Sequence, residues 1–441
     1  MNVLVRKYIR TKTKVEIARG IEAAVRDGAL AAGERVPTVR ALADALAVSP
    51  ATVAAAYAQL RGRGVLVGRG RAGTVVQPSW QRPEHAPPAA PSGTRDLAFG
   101  NPDARLLPGL ERALSKIDPT PQGYDTRSLV EDLVSMARER FESDGVRTER
   151  VAVTSGALDG IERVLAAHLR PGDEILVEDP GFPNVHDLAR SLGLVLRPVP
   201  VDAEGLDPAA LAGALGRKPG ALVLTPRAQN PTGAAHSRTR ARALTRVLAT
   251  APDLLVVEDD HAADVSGAPL LSVAARHTGP WAVVRSVSKS LGPDLRLAVV
   301  AGDAETLGRV ENRQMMGMRW VSRVLQQIVV ALWKDRQVAR LLERAERRYG
   351  ERRAALVDAL AERGVAATGT SGLNVWVPVA EEAAALATLL AAGWSVAPGE
   401  RFRIAGPPAI RVTVACLDPK DAPALADAIA QTNATRAESF A

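Results

Sequence analysis

Between residues 78 and 94 the chain reads PSWQRPEHAPPAAPSGT, five prolines in seventeen positions with no apolar periodicity. Proline fixes its own φ and pushes the residue before it out of the helical region, so this stretch is a semi-extended linker through which neither helix nor strand continues. A chain divided in this way must bury separate cores. Its 441 residues suffice, because single cores stop growing near roughly 250–300 residues. The expected division is residues 1–77 as a small module, 78–94 as linker and 95–441 as the body, with a smaller subdomain from about 335 onward.

Charge separates the same two pieces. Up to Val76 there are thirteen basic and five acidic residues, while the whole chain carries +7, so the remainder is close to neutral. Basic charge gathered at one end is the footprint of a polyanion partner, with a solvated basic face as the plain alternative. The apolar share of 46% and charged share of 24% exclude a disordered or collagen-like chain. Cys416 is the only cysteine, which excludes an internal disulfide and a zinc site built on cysteine pairs. No apolar run is long enough for a membrane span, and the first residues lack a signal-peptide pattern, so a cytoplasmic protein is expected. The six histidines are scattered, with no metal-ligand spacing.

In the module, Lys14 to Leu30 has helical spacing, with Val15, Ala18, Ile21, Ala24 and Val25 on one face and an end near Gly28 and Gly33. Thr38 can cap a short helix from Val39 to Leu46, and Ser49 can cap another that starts with Pro50 and runs to Leu60. Two short helices about the Ala47-Val48 turn form a helix-turn-helix, the second sized for a DNA major groove. Val65 to Val76 (VLVGRGRAGTVV) then gives two short strands around a glycine-rich turn, a wing. Over residues 7–77 this arrangement resembles the DNA-binding domain of GntR-family regulators, carried by Val36-Pro37-Thr38-Val39-Arg40, Leu42-Ala43, Leu46, Val48-Ser49, Thr52-Val53, Tyr57, Leu60, Gly64 and the wing. The resemblance implies that Arg40, Ser49, Thr52 and Tyr57 contact phosphate or the groove, and that Arg69 and Arg71 reach DNA from the wing. Pro50 and Ala54 stand where the family often has arginine, which shifts the expected readout toward phosphate contacts and DNA shape. A protein-docking winged helix is the alternative.

The body alternates β-rich runs with helical stretches: Val151 to Thr154, Glu174 to Glu178, Ala221 to Thr225, Leu254 to Glu258 and Trp281 to Arg285. Such alternation predicts an α/β fold with a mostly parallel sheet, whose ligands bind beyond the carboxyl ends of the strands. The residues after the runs are Ser155-Gly156-Ala157, Asp179-Pro180-Gly181-Phe182, Asn230-Pro231-Thr232-Gly233, Asp259-Asp260-His261, and Ser286-Val287-Ser288-Lys289 with Arg296 beyond. Only eight lysines stand against forty-eight arginines, so a lysine at a strand end points to chemistry that arginine cannot do. A primary amine forms a Schiff base with an aldehyde, and burial supplies its neutral form. An aspartate for a pyridinium proton, an asparagine for a phenolic oxygen, an aromatic to stack on the ring, and serines with an arginine for phosphate complete the parts of a pyridoxal 5'-phosphate site.

In this order the motifs resemble the fold-type I aminotransferases over about residues 96–435, and the whole chain is similar to MocR-type regulators, a winged helix-turn-helix fused to an aminotransferase-like domain. The implied fold is a large, mostly parallel sheet domain with a smaller C-terminal α+β domain. The resemblance implies that Lys289 holds the cofactor, Asp259 pairs with the ring nitrogen, Asn230 donates to the ring oxygen and Phe182 stacks. It assigns the phosphate to Ser155, Gly156, Ala157, Ser286, Ser288 and Arg296, with Tyr124 reaching the phosphate of a neighbouring subunit. Arg411 matches the arginine that grips a substrate carboxylate. His261 replaces a tyrosine common in the family, and the loop after Tyr124 lacks the usual glycine-rich run. His261 as a helix cap or core histidine, and Arg411 as a buried ion-pair partner, are the structural alternatives. The expected function is a DNA-binding regulator, a homodimer, that senses an amino-acid-like amine or pyridoxal phosphate through Lys289. A working aminotransferase is the rival reading, and a body without cofactor the third.

Overall fold

The computed structural model describes residues 8–9, 13–62, 65–68, 73–76, 91, 93–121, 123–124 and 128–438, with side chains as far as 432. Arg69 and Arg71, Gly64 and most of the 78–94 linker lie outside the described residues. The chain divides into two compact units, an amino-terminal module and a body.

In the module, α1 (Lys14–Arg26) starts where the Thr13 hydroxyl accepts the Glu16 amide at 3.3 Å. The helix is shorter than expected because Gly28 takes φ +73° and turns the chain back, leaving Leu30 buried against the helix it was expected to extend. Ile17 and Ile21 fill the core, whereas Val15 is exposed. Helix α2 (Val39–Leu46) is capped by Thr38, whose hydroxyl accepts the Ala41 amide at 3.2 Å, and Ala47 ends it in the left-handed conformation. Helix α3 (Pro50–Gly62) begins after Ser49, whose hydroxyl accepts the Thr52 amide at 3.1 Å. Strands β1 (Leu66–Gly68) and β2 (Thr74–Val76) pair antiparallel, Leu66 opposite Val76. Leu42, Leu46, Val53, Tyr57 and Leu60 complete the module's core.

The body begins with β3 (Arg95–Asp96). It continues through β4 (Val151–Thr154), β5 (Glu174–Asp179), β6 (Val195–Asp202), β7 (Gly205–Leu206), β8 (Ala221–Leu224), β9 (Leu255–Asp260), β10 (Trp281–Ser286) and β11 (Ala298–Gly302). Strands β4 to β11 form one sheet in the order β4-β11-β10-β9-β8-β5-β6-β7. Strands β5, β8, β9 and β10 run parallel, and β11 lies antiparallel between β10 and β4, so the sheet is mixed. This arrangement leaves β4, β10, β9, β8 and β5 ending at one edge. Burial of whole strands explains their continuous apolar runs.

A second core lies in the carboxy-terminal part, where β12 (Asn374–Pro378), β14 (Ala397–Pro398) and β15 (Ala409–Thr413) pair antiparallel in the order β12-β15-β14. The two-residue β13 (Trp394–Ser395) pairs with β3. Helix Glu382–Ala391 buries Ala385 and Leu389. Among the described residues no helix is long and apolar enough to cross a membrane, and no cluster of potential metal ligands occurs.

Candidate cofactor site and DNA-reading helix

Sheet order arranges the predicted residues along one edge. Ser155-Gly156-Ala157 follows β4, Arg296 precedes β11, and Ser286 ends β10 with Ser288 just beyond. The three strands are neighbours, so phosphate-binding groups come together there. Arg296 Nη2 donates to the Ser155 carbonyl at 3.3 Å. Gly156 sits at φ +94°, a conformation that strains any side chain, and a Cβ added to it would also displace the end of Arg296, whose Nη2 lies 2.7 Å away. The Ser155 amide donates to Asp159 Oδ2 at 2.8 Å and the Gly156 amide to the Thr154 carbonyl at 2.9 Å. Donors for an anion at this helix therefore begin at Ala157, the first residue of Ala157–His168. The Ser286 hydroxyl accepts the Ser288 amide and meets the Ser288 hydroxyl, each at 3.1 Å.

Next along the edge lie Asp259, on β9, and Lys289, three residues past β10. Lys289 Nζ donates to the Gly100 carbonyl at 2.5 Å. Burial lowers its pKa to about 8, with Arg411 adding to the effect and Asp259 opposing it. Asp259 is 4% exposed, and its Oδ1 is buried with no hydrogen-bond partner. Burial raises its pKa to about 7, reinforced by Asp260 and Glu178 and opposed by Lys289. A buried carboxyl oxygen without a donor is costly unless a cationic N–H meets it, which is what a protonated pyridine nitrogen offers. His261 follows on the same strand end, its pKa lowered to about 4 by burial and by Lys289, so the imidazole is neutral.

Asn230, after β8, accepts at Oδ1 from Arg411 Nη1 at 3.1 Å and from Asn374 Nδ2 at 3.4 Å. Phe182, after β5, is half-buried. Arg411 on β15 also donates to the Ala98 carbonyl and lies over the Phe402 ring, 4.6 Å from its centroid. Its Nε is buried without a partner, and no carboxylate among the described residues pairs with it. Burial lowers its pKa to about 9. Among the described residues the ion-pair alternative for Arg411 finds no acid. Tyr124 is 83% exposed, edge-on to Trp320 at 6.0 Å and 5.6 Å from the Arg319 guanidinium.

Gly100, Ala98, Asn374 and Phe402 were not singled out from the sequence. A further omission is the charged layer behind Asp259. Asp260 is fully buried between Arg227 and Arg285, at 2.7 Å from each, and Asp144 lies 2.5 Å from Arg285. Gln229, beside the Asn230 motif, donates to Glu178 Oε2 at 3.1 Å and to the Pro180 carbonyl at 2.9 Å, while its own oxygen accepts from Thr232. The Asp179–Pro180 and Asn230–Pro231 peptide bonds are cis.

In the module, Arg40 and Ser49 are exposed and Thr52 is half-buried, its hydroxyl 2.8 Å from that of Ser49. Tyr57 corrects the sequence expectation. It is 1% exposed, and its hydroxyl donates to the Pro37 carbonyl at 2.7 Å, so it fastens α3 beneath α2 and is not free to meet DNA. Its spacing from Val53 and Leu60, four and three positions, was the signal of a core residue.

Residues 121–429 match the family of aminotransferases of class I and II, and residues 13–76 match the bacterial regulatory proteins of the gntR family. The chain belongs to the GntR family, in its aminotransferase-fused MocR type. It is a DNA-binding transcription regulator, and pyridoxal 5'-phosphate is the cofactor of its aminotransferase domain. It is 40% identical, over 95% of its length and 98% of the relative's, to the vitamin B6 salvage pathway transcriptional repressor PtsJ of Salmonella typhimurium. It is 27% identical, over 80% of each chain, to the pyridoxine biosynthesis transcriptional regulator PdxR of Corynebacterium glutamicum. Among solved structures, kynurenine aminotransferase from Pyrococcus horikoshii shares the fold of the body, with a TM-score of 0.70, 21% identity, and coverage of 78% of this chain and 92% of that one. The α-aminoadipate aminotransferase LysN of Thermus thermophilus, complexed with N-(5'-phosphopyridoxyl)-L-leucine, gives a TM-score of 0.67 at 25% identity, covering 78% of this chain and 93% of that one.

Proposed function

We propose that this GntR-family protein regulates genes of vitamin B6 supply in the cytoplasm, and that it reads pyridoxal 5'-phosphate through Lys289. The observation that carries the reading is the buried, unpartnered Oδ1 of Asp259 on the strand next to the one that leads to Lys289. The similarity to PtsJ supports the choice of vitamin. When bound, the cofactor supplies an aldehyde for a primary amine and a ring that draws electrons when protonated. Lys289 would supply the amine, whose neutral fraction burial has raised well above that of an ordinary lysine. Asp259 would hold a proton at the ring nitrogen, Asn230 and neutral His261 would hydrogen-bond the ring oxygen, and Phe182 would stack on the ring. The Ala157 amide, the Ser155, Ser286 and Ser288 hydroxyls and Arg296 would receive the phosphate, with Gly156 shaping the turn and its own amide spent on the Thr154 carbonyl, and Arg411 would receive the carboxylate of an amino-acid ligand. Arg40, Ser49 and Thr52 meet the DNA backbone or groove.

A second copy of the chain is part of this reading. Met316 is 81% exposed and Met315 stands beside it, while Met318 accepts the Ser155 hydroxyl at 3.8 Å, so an apolar patch reaches the phosphate end of the site. Tyr124 at this patch reaches the partner's phosphate in the proposed homodimer. Sedimentation that finds only monomer with cofactor bound would remove this part of the proposal.

The regulatory test is a titration of the full-length protein onto DNA flanking its own gene, with and without pyridoxal 5'-phosphate. Coupling between two sites changes affinity by about 5–150-fold in typical cases, and a change within that range is expected. Cofactor binding that leaves DNA affinity unaltered would sink the sensing role.

A further inference from the structure

We propose that Asp179 is a positioning residue for ligand specificity: its carboxylate ties the 402–406 loop to the end of β5 and so keeps Phe402 under Arg411, in the orientation that receives a ligand carboxylate. The inference rests on the reading of Arg411 given above.

Asp179 is buried, yet no basic side chain pairs with it among the described residues. Its carboxylate is spent on backbone. Oδ1 accepts the Ile404 amide at 2.8 Å, and Oδ2 accepts those of Ala405 at 2.8 Å and Gly406 at 3.1 Å. Two residues on, the Gly181 amide donates to the Phe402 carbonyl at 2.8 Å. The turn between them is held from the other side by Gln229, on the Pro180 carbonyl. One strand end thus carries both Phe182 and the attachment of a loop more than two hundred residues away.

Phe402 begins that loop. It is buried, packs edge-on against Trp376 at 6.0 Å, and carries the Arg411 guanidinium on its face. Among the described residues Arg411 has only the Ala98 carbonyl and Asn230 Oδ1 as hydrogen-bond acceptors, so the ring beneath it is a large part of what fixes its plane. The loop has another anchor, Glu382, which accepts from the Glu400 and Ala409 amides and from Arg403 Nε. All of those partners belong to the carboxy-terminal part. Asp179 is the carboxylate that joins the loop to the large sheet. Two carboxylate oxygens are needed to accept three amides spread over Ile404, Ala405 and Gly406, whereas an asparagine has a single acceptor oxygen and would turn its NH2 toward the remaining amides.

The experiment uses full-length protein loaded with pyridoxal 5'-phosphate and compares L-alanine with ethylamine, which differ by the carboxylate, in spectral titrations. Wild type is expected to prefer L-alanine. Asp179→Asn is expected to reduce that preference about tenfold or more, while affinities for pyridoxal 5'-phosphate and ethylamine stay within about threefold. Asp179→Glu, which keeps the charge, should restore part of the preference. Amide hydrogen exchange gives a second readout: residues 404–406 are protected in wild type and exchange faster in Asp179→Asn. Equal losses for both amines and the cofactor would mean a merely structural tether, and an unchanged preference would mean no positioning role; either overturns the proposal. Should Asp179→Asn fail to fold, unprotected 404–406 amides in wild type would overturn it alone. A wild type indifferent to the carboxylate refutes the Arg411 reading itself, and does so before any substitution is made.

Discussion

Lys289→Ala is expected to abolish covalent retention of pyridoxal 5'-phosphate. Borohydride reduction followed by mass analysis should leave the wild-type chain heavier by one cofactor and the variant unmodified. Seven other lysines occur in the chain, but among the described residues Lys289 alone follows a strand at the edge where Asp259 and Ser286 lie. Lys289→Arg is expected to fail equally, since a guanidinium keeps the charge but does not condense with an aldehyde. The pH dependence has a definite sign. Only the neutral amine attacks, and burial has brought its pKa from 10.5 to about 8. About one tenth of the amine is then neutral at pH 7, against about three parts in ten thousand for an ordinary lysine. The attachment rate should therefore climb with pH and flatten above about 8, where an unperturbed lysine would continue to rise beyond 10. A variant that still carries the reduced cofactor refutes Lys289 as the attachment point, and a wild-type rate that keeps climbing past pH 10 refutes the lowering of its pKa by burial.

What was legible in the sequence was chemistry carried by neighbours along the chain. Thr38 and Ser49 cap helices three residues away, and such bonds can be read from residue type and spacing. The loop motifs were legible because parallel strands deliver their carboxyl ends to one edge, so order alone predicts company. Bonds across the fold were not legible. Ile404 and Asp179 are 225 positions apart, and Lys289 and Gly100 are 189 apart, with no local pattern to join them. Strand β11 escaped notice because a short apolar run beside Arg296 has no signature of its own direction, and only pairing makes it antiparallel. Tyr57 shows a different limit. A family position suggested contact with DNA, whereas the apolar spacing on α3 already placed the ring in the core.

The layer behind Asp259 carries the second large effect. Asp260 is 0% exposed and accepts from Arg227 and Arg285, so removing its charge leaves two buried guanidiniums facing an amide. Breaking a buried pair by changing one partner costs about 3–5 kcal/mol, and Asp260→Asn should lower the stability of the body by that order in urea denaturation. Burial alone would raise the pKa of Asp260, but Arg285 and Arg227 overcome it and hold the group at about 2. A folded-state value below the unfolded one contributes stability that is present above about pH 4 and is lost as pH falls toward 2. The variant lacks that titration, so the difference between it and wild type should narrow across the same window. Because Asp260 also raises the pKa of Asp259, the substitution should make the Asp259 proton easier to remove wherever the body still folds. A loss below about 1 kcal/mol, or a difference that does not narrow in acid, would show that these arginines are satisfied without Asp260 and that the end of β9 is fixed by strand pairing alone.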